Sequence, residues 1–253
     1  MIRTLQSISV LFLLTFIFFS CGDQSTQVED DPINEFSHTQ NPGASNEAFI
    51  TNDEFDELVV EVQYMPGVEP DQESLNNLQE YLEQHLEKTS ITVLTPEEIP
   101  SGDQETYTAD QVRDLEDEHR KRFTEDGTLV SYAIFLDGEY DDGNVLGIAY
   151  YNTSTAYFGE TIEQISGGAT QPSREKIEST VFNHEFGHLI GLVNSGTDAQ
   201  DENHHDSENG AHCTVEECLM YYSVNTTNFF ANLFDGSVPE LDEFCLADIE
   251  AVK

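Results

Sequence analysis

The chain has 253 residues, with 50 Asp plus Glu against 9 Lys plus Arg, a formal net charge of −41. A field of that sign repels nucleic-acid phosphates and anionic headgroups, which excludes DNA, RNA and charge-driven membrane binding. Apolar residues at 38% and aromatics at 10% exceed what an acidic disordered chain carries, so one packed domain, with or without a lobe, is expected.

Residues 1–20 carry Arg3, an apolar run from Ile8 to Phe19, and Ser20 before Cys21. A charged head and an apolar run of about a dozen residues predict a secretory signal peptide, too short for a membrane span. A Cys directly after a small residue at the end of such a run resembles the processing site of bacterial lipoproteins. The resemblance implies cleavage before Cys21, acylation of Cys21, and a cell-envelope location on a membrane reached through that lipid alone. Residues 21–48, rich in Asp, Gln, Ser, Thr, Asn and Pro, read as a solvated tether. The folded domain is then expected over 49–253, as a monomer.

Within it, 55–65 is dense in β-branched and aromatic residues and stops at Pro66-Gly67, which predicts a strand ended by a turn. From Asp71 to Lys88, Leu75, Leu78, Tyr81, Leu82 and Leu86 recur at helical spacing on an amphipathic helix. Ile91–Leu94 reads as a short strand. Thr108 caps a helix reaching Phe123, with Val112, Leu115 and His119 on one face. Leu129–Leu136 and Val145–Tyr151 are strands, and Thr155–Phe158 a short edge strand. Ser173–Ile190 is a helix with Pro172 at its start and Gly191 at the position of a left-handed cap. A final helix spans Pro239–Val252. Strands alternating with helices indicate a mixed sheet.

The chemistry concentrates in His184-Glu185-Phe-Gly-His188-Leu-Ile-Gly191. On a helix, positions 184 and 188 share a face one turn apart, so two imidazoles can converge on one ion. Neutral imidazole suits Zn2+, and a site left open to water makes that water a usable nucleophile near neutral pH. Glu185 is placed to take the proton of that water and return it to a leaving amine. The neighbours Val181, Phe182, Phe186, Leu189 and Ile190 would bury the rest of the helix and make it a rigid platform. A chance match of five residues is the competing reading, opposed by the helix pattern, the glycine and the secretory context.

The pattern H-E-x-x-H-x-x-G resembles the metzincin metallopeptidases, in which the glycine turns the chain back toward the metal. Metzincins place a third ligand, usually His, three residues after that glycine, and here the position is Asn194, a poor zinc ligand. Downstream, His212-Cys213-Thr-Val-Glu-Glu-Cys218-Leu-Met220 is similar to the H-C-x4-C-x-M segment of archaemetzincins. There the His is the third ligand and the Met begins the Met-turn beneath the metal. In this chain the segment follows an insertion, Asn194 to Ala211. The resemblance takes in most of 52–253, with Leu136–Tyr140 and Asp242–Cys245 fitting the same comparison. It implies an α+β zincin with a mixed twisted sheet, an active-site helix, a Met-turn and a C-terminal helix. It further implies zinc held by His184, His188 and His212, Glu185 as base, Met220 as floor and a peptide or protein substrate. The insertion offers rivals for the third ligand, His204 and His205, and more remotely Asp198. In some metzincins a Tyr two residues after the Met also stabilises the oxyanion; here that residue is Tyr222, which packing against the turn explains equally well.

Archaemetzincins also hold a second, structural zinc on four cysteines. Cys213, Cys218 and Cys245 match three of them, while Asp248 stands at the fourth. A Cys3Asp site is one reading; a Cys213–Cys218 disulfide with one thiol left over is the favoured one outside the cytoplasm. The acidic run Asp137–Gly143 lacks the glycine of a calcium loop and reads as a solvated turn. The expected activity is zinc-dependent peptide hydrolysis by a cell-envelope metalloendopeptidase. A binding or structural surface lipoprotein with weakened catalysis is the alternative, supported by Asn194.

Overall fold

The computed structural model describes residues 36–231 and 237–253. The signal peptide, Cys21 and the first part of the tether lie outside them. Among the described residues no helix is long and apolar enough to cross a membrane.

Packed structure is already present at Phe36, the first described residue, ahead of the expected start near Phe49. The second half of the supposed tether is bound to the domain. Phe36 lies edge-on to Phe55, Asn152 Nδ2 donates to Ser37 O and Ser45 Oγ, and α1 (Asn46–Ile50) buries Phe49 and Ile50. Composition misled here, because a few aromatic and apolar anchors suffice to seat a polar segment.

The main sheet has the order β2-β1-β5-β8-β7, built from β1 (Glu57–Tyr64), β2 (Ser90–Val93), β5 (Thr128–Leu136), β7 (Gly147–Tyr151) and β8 (Ser154–Phe158). A two-residue strand, β3 (Glu97–Glu98), pairs with the far end of β1. All pairings are parallel except β7 with β8, which is antiparallel. Thr155–Phe158 is therefore interior, and the sheet ends in β2 on one side and β7 on the other. All five residues of β8, Ser154 and Thr155 included, are buried, as suits such a central strand. A small parallel pair, β4 (Thr106–Tyr107) and β6 (Glu139–Tyr140), lies apart from this sheet.

Alternation along β1 sets the two faces. Leu58, Val60 and Val62 are buried on one side. On the other, Gln63 Nε2 donates to His119 O at the end of α3 (Ala109–His119). The helices start where their caps require. Asp71 accepts from Glu73 N at the head of α2 (Gln72–His85), and Thr108 with Gln111 forms a capping box on α3. Ser173 caps α5 (Arg174–Leu189), and Asp242 caps α7 (Glu243–Val252). The last helix thus starts at its carboxylate cap rather than at Pro239, since Glu240 O is used by Leu219 N at 2.9 Å. Short α4 (Gly159–Gln164) and α6 (Thr227–Phe230) complete the chain.

α5 packs against α2 on one side and against β7 and β8 on the other. Twelve of its 16 residues are buried, which is why it carries no single apolar stripe. Burial on all sides fixes its rotation, and so fixes where the side chains of 184, 185 and 188 point.

Candidate metal centre and active site

α5 ends at Gly191, whose φ of +75° is the left-handed conformation expected there. A Cβ at that position would stand 2.8 Å from Thr197 N, so the chain curls too tightly for a side chain. Thr197 closes the curl, its N donating to Gly191 O and its Oγ1 to Ile190 O. Within the curl Asn194 has φ +61° and is exposed. The position that would carry a third ligand in the metzincin pattern is thus turned to solvent.

His212 occupies the place instead. Ligand nitrogens of His184, His188 and His212 all lie within 4.8 Å of one another, with His184 Nε2 and His188 Nε2 3.2 Å apart. His184 Nδ1 donates to Leu219 O at 2.7 Å and His212 Nδ1 to Asn209 O at 2.7 Å. Each of those imidazoles therefore keeps its lone pair on Nε2. His212 Nε2 is buried with no hydrogen-bond partner among the described residues. Burial lowers the pKa of all three, to about 3 for His184, and so favours the neutral, ligating form. Three converging lone pairs at such spacing match a tetrahedral ion about 2.0–2.1 Å from each nitrogen.

Glu185 is 1% exposed and not part of that trio. Its Oε1 accepts from Asn225 Nδ2 at 3.2 Å, and Asn225 also reaches Gly147 O at 3.4 Å. Desolvation pushes Glu185 up to about 8, against the hydrogen bonds from Asn225 and the Ala149 backbone. Gly147 must lack a side chain, since a Cβ there would come within 2.9 Å of Glu185 Cγ and 2.7 Å of Val181 Cγ1. Glu185, His188, Gly147, Ile148, Ala149 and Asn225 line a cleft of about 340 Å³ along β7. A larger hollow of about 910 Å³ lies over Glu57, Glu61 and Lys121, but none of the three histidines lines it.

Met220 is fully buried, and a Cβ on Gly187 would meet its Sδ at 2.2 Å. The glycine between the two helical histidines is the notch that receives the thioether. Tyr222 is 41% exposed, its ring against Tyr221.

The rivals for the third position lie elsewhere. His205 Nε2 donates to Gly210 O at 2.9 Å, and Asp198 is exposed. His204 belongs to a second, buried gathering in which it, Cys213, Asp242 and Cys245 bring ligand atoms within 4.8 Å. All three cysteines are free thiols, so the favoured Cys213–Cys218 disulfide is not formed. The sulfurs turn instead toward the cap of α7. Cys218 Sγ stands 3.7 Å from Cys245 Sγ, and Cys213 Sγ donates to Asp242 Oδ2 at 3.2 Å. Hydrogen bonds from Cys213 first, then Cys245, lower the Cys218 pKa, and Cys245 is raised correspondingly. Asp248 is buried beside them, its Oδ1 accepting from Gln200 N at 2.7 Å.

Asn225, Leu219 O, Asn209 O and Gly147 had no sequence signal, because each acts through the fold or through backbone atoms. The Asn between Met220 and the last helix could have been noticed only as a polar residue near the motif.

No family model and no curated protein matches the chain. Among solved structures, the crystal structure of archaemetzincin from Methanopyrus kandleri matches with a TM-score of 0.51 and 14% identity, over 79% of this chain and 96% of that one. The chain thus has an archaemetzincin-like fold, a mixed α/β architecture with a mixed sheet.

Proposed function

We propose that the protein is a zinc-dependent metalloendopeptidase of the cell envelope. The convergence of His184, His188 and His212, with Glu185 beside them on the floor of a cleft, carries this reading. The three imidazoles would hold the ion, and Gly187 with Met220 would form the floor beneath it. A second, structural ion would sit among the buried thiols. When bound, zinc supplies Lewis acidity that polarises a carbonyl and makes water more acidic.

Glu185 acts as the base. Asn225 engages Oε1, which leaves Oε2 to take a proton from the attacking water and return it to the departing amine nitrogen. Burial raises the proton affinity of the carboxyl, and a cation nearby would lower it again. A substrate peptide would lie along β7, the edge strand beside the cleft, so that its main chain adds a strand. The lipoprotein-like N-terminus supports attachment through Cys21, with the domain on the periplasmic or cell-surface side as a monomer.

The test compares wild type with Glu185→Gln on a quenched fluorescent peptide library, each with its zinc content measured. Loss of cleavage by about 10²–10⁴-fold with zinc retained is expected. Equal cleavage by the two proteins would overturn the reading. His212→Ala is expected to lose the first ion, and full zinc occupancy in that variant would reassign the third ligand.

A further inference from the structure

Within the insertion Asn194–Ala211, the His204 side chain is withdrawn from solvent and packed against α7. His204 is 2% exposed, stacked on Phe244 of α7 with ring centroids 5.5 Å apart. Its two ring nitrogens face different chemistry. Nδ1 stands 3.8 Å from Cys213 Sγ. Nε2 stands 3.0 Å from Asp248 Oδ2, close but not aligned as a hydrogen bond. An imidazole that turns one nitrogen to a carboxylate and the other to a buried thiol is arranged as metal-bound histidines are.

The sulfur spacing agrees. Two thiolates at about 2.3 Å from one tetrahedral ion sit roughly 3.7 Å apart, the separation found between Cys218 and Cys245. Backbone N–H groups of Val215 and Met220 point at Cys213 and Cys218 sulfurs at 3.4 Å each, as they would to support negative charge on sulfur. Buried Cys213, Cys218, Cys245 and Asp248, with half-buried Asp242 beside them, are a concentration of acidic groups that a divalent cation would neutralise.

We infer that His204, supplied by the insertion, is a ligand of the second ion together with Cys213 and Cys245, and that Asp248 orients its imidazole rather than binding the metal. Cys218 or Asp242, each close to one of those sulfurs, fills the fourth position. On binding, the Cys213 and Cys245 thiol protons, and that of Cys218 where it is the fourth ligand, leave to solvent, and His204 keeps its proton on Nε2 toward Asp248. The inference rests on the second ion of the reading above, and it adds a purpose for the insertion. Cys213 directly follows His212, so an ion that ties His204, Cys213 and α7 together also holds the loop that delivers His212 to the first centre.

The full domain, loaded separately with zinc and with cobalt(II), tests this through metal content and absorption. Wild type is expected to bind two ions, one showing the thiolate-to-cobalt charge-transfer band. His204→Ala should lose or strongly weaken the thiolate-bound ion, whereas His205→Ala leaves both. His204→Cys should retain it with a stronger thiolate band, and Asp248→Asn should weaken its affinity by about 10–100-fold with the band shape kept. These two variants decide the matter if His204→Ala does not fold. An unchanged band and two ions in His204→Ala, or a wild type with no thiolate-bound ion, overturns the inference. The double variant His184→Ala, His188→Ala reports separately on the first centre: its ion should vanish while the thiolate band stays.

Discussion

Asn225 acts on the carboxylate rather than on the ion. With one amide it fixes Glu185 Oε1 and touches the carbonyl of Gly147 at the start of the edge strand. Removing it in Asn225→Ala leaves a fully buried carboxylate with one fewer donor. Peptide turnover is expected to fall by about 10–100-fold with zinc content unchanged, read by kcat and metal analysis on the same sample. His38 makes a separate prediction at this scale. Burial, and then the Arg120 guanidinium, lower its pKa to about 4, while the unfolded chain binds the same proton near 6.5. Between those values the unfolded state takes up more protons, so this group's contribution to stability is complete above pH 6.5 and is lost as pH falls toward 4. Wild type should therefore lose more stability than His38→Gln across that window, measured by urea unfolding at each pH. Parallel curves for the two proteins would contradict it.

The active helix shows how an element was readable while its consequences were not. Its start at Ser173, its burial and its glycine stop at 191 follow from local rules, and α5 occupies Arg174–Leu189 as those rules require. Gly191→Ala forces a side chain into φ +75° and against Thr197 N at 2.8 Å. A loss of at least about 1–2 kcal/mol is expected, seen as a lower urea midpoint. A variant of wild-type stability would mean that the curl relaxes freely. The strands were readable as strands, but not their neighbours. Thr155–Phe158 reads as an edge from its shortness, whereas pairing places β8 between β5 and β7. Pairing order depends on long-range contacts that leave no periodicity in five residues.

Across the whole molecule, a net charge of −41 must be solvated and screened. Acids outnumber bases by more than five to one over the whole chain, so self-repulsion acts against the compact state. Raising monovalent salt from about 0.1 M to 1 M shortens the Debye length from roughly 10 Å to 3 Å. The Tm should rise over that range, beyond any change in a chain of ordinary charge, and a flat or falling Tm would show that the charges are already locally paired. From the amino-acid order alone came the helix with His184, Glu185 and His188, the glycine that ends it and the acidic, packed character of the domain. These are local: spacing of 3.6 residues per turn, one cap, one left-handed glycine, one charge count. Only the tertiary structure decided that the segment from Phe36 is bound, that β7 rather than β8 is an edge strand, and that Asn194 faces solvent while His212 turns its Nε2 inward. It alone parted His204 from His205, two adjacent residues with the same chemistry. The reason is physical: which imidazole meets which partner is set by packing between distant segments, and neighbouring positions on an irregular loop carry no mark of the side they will face.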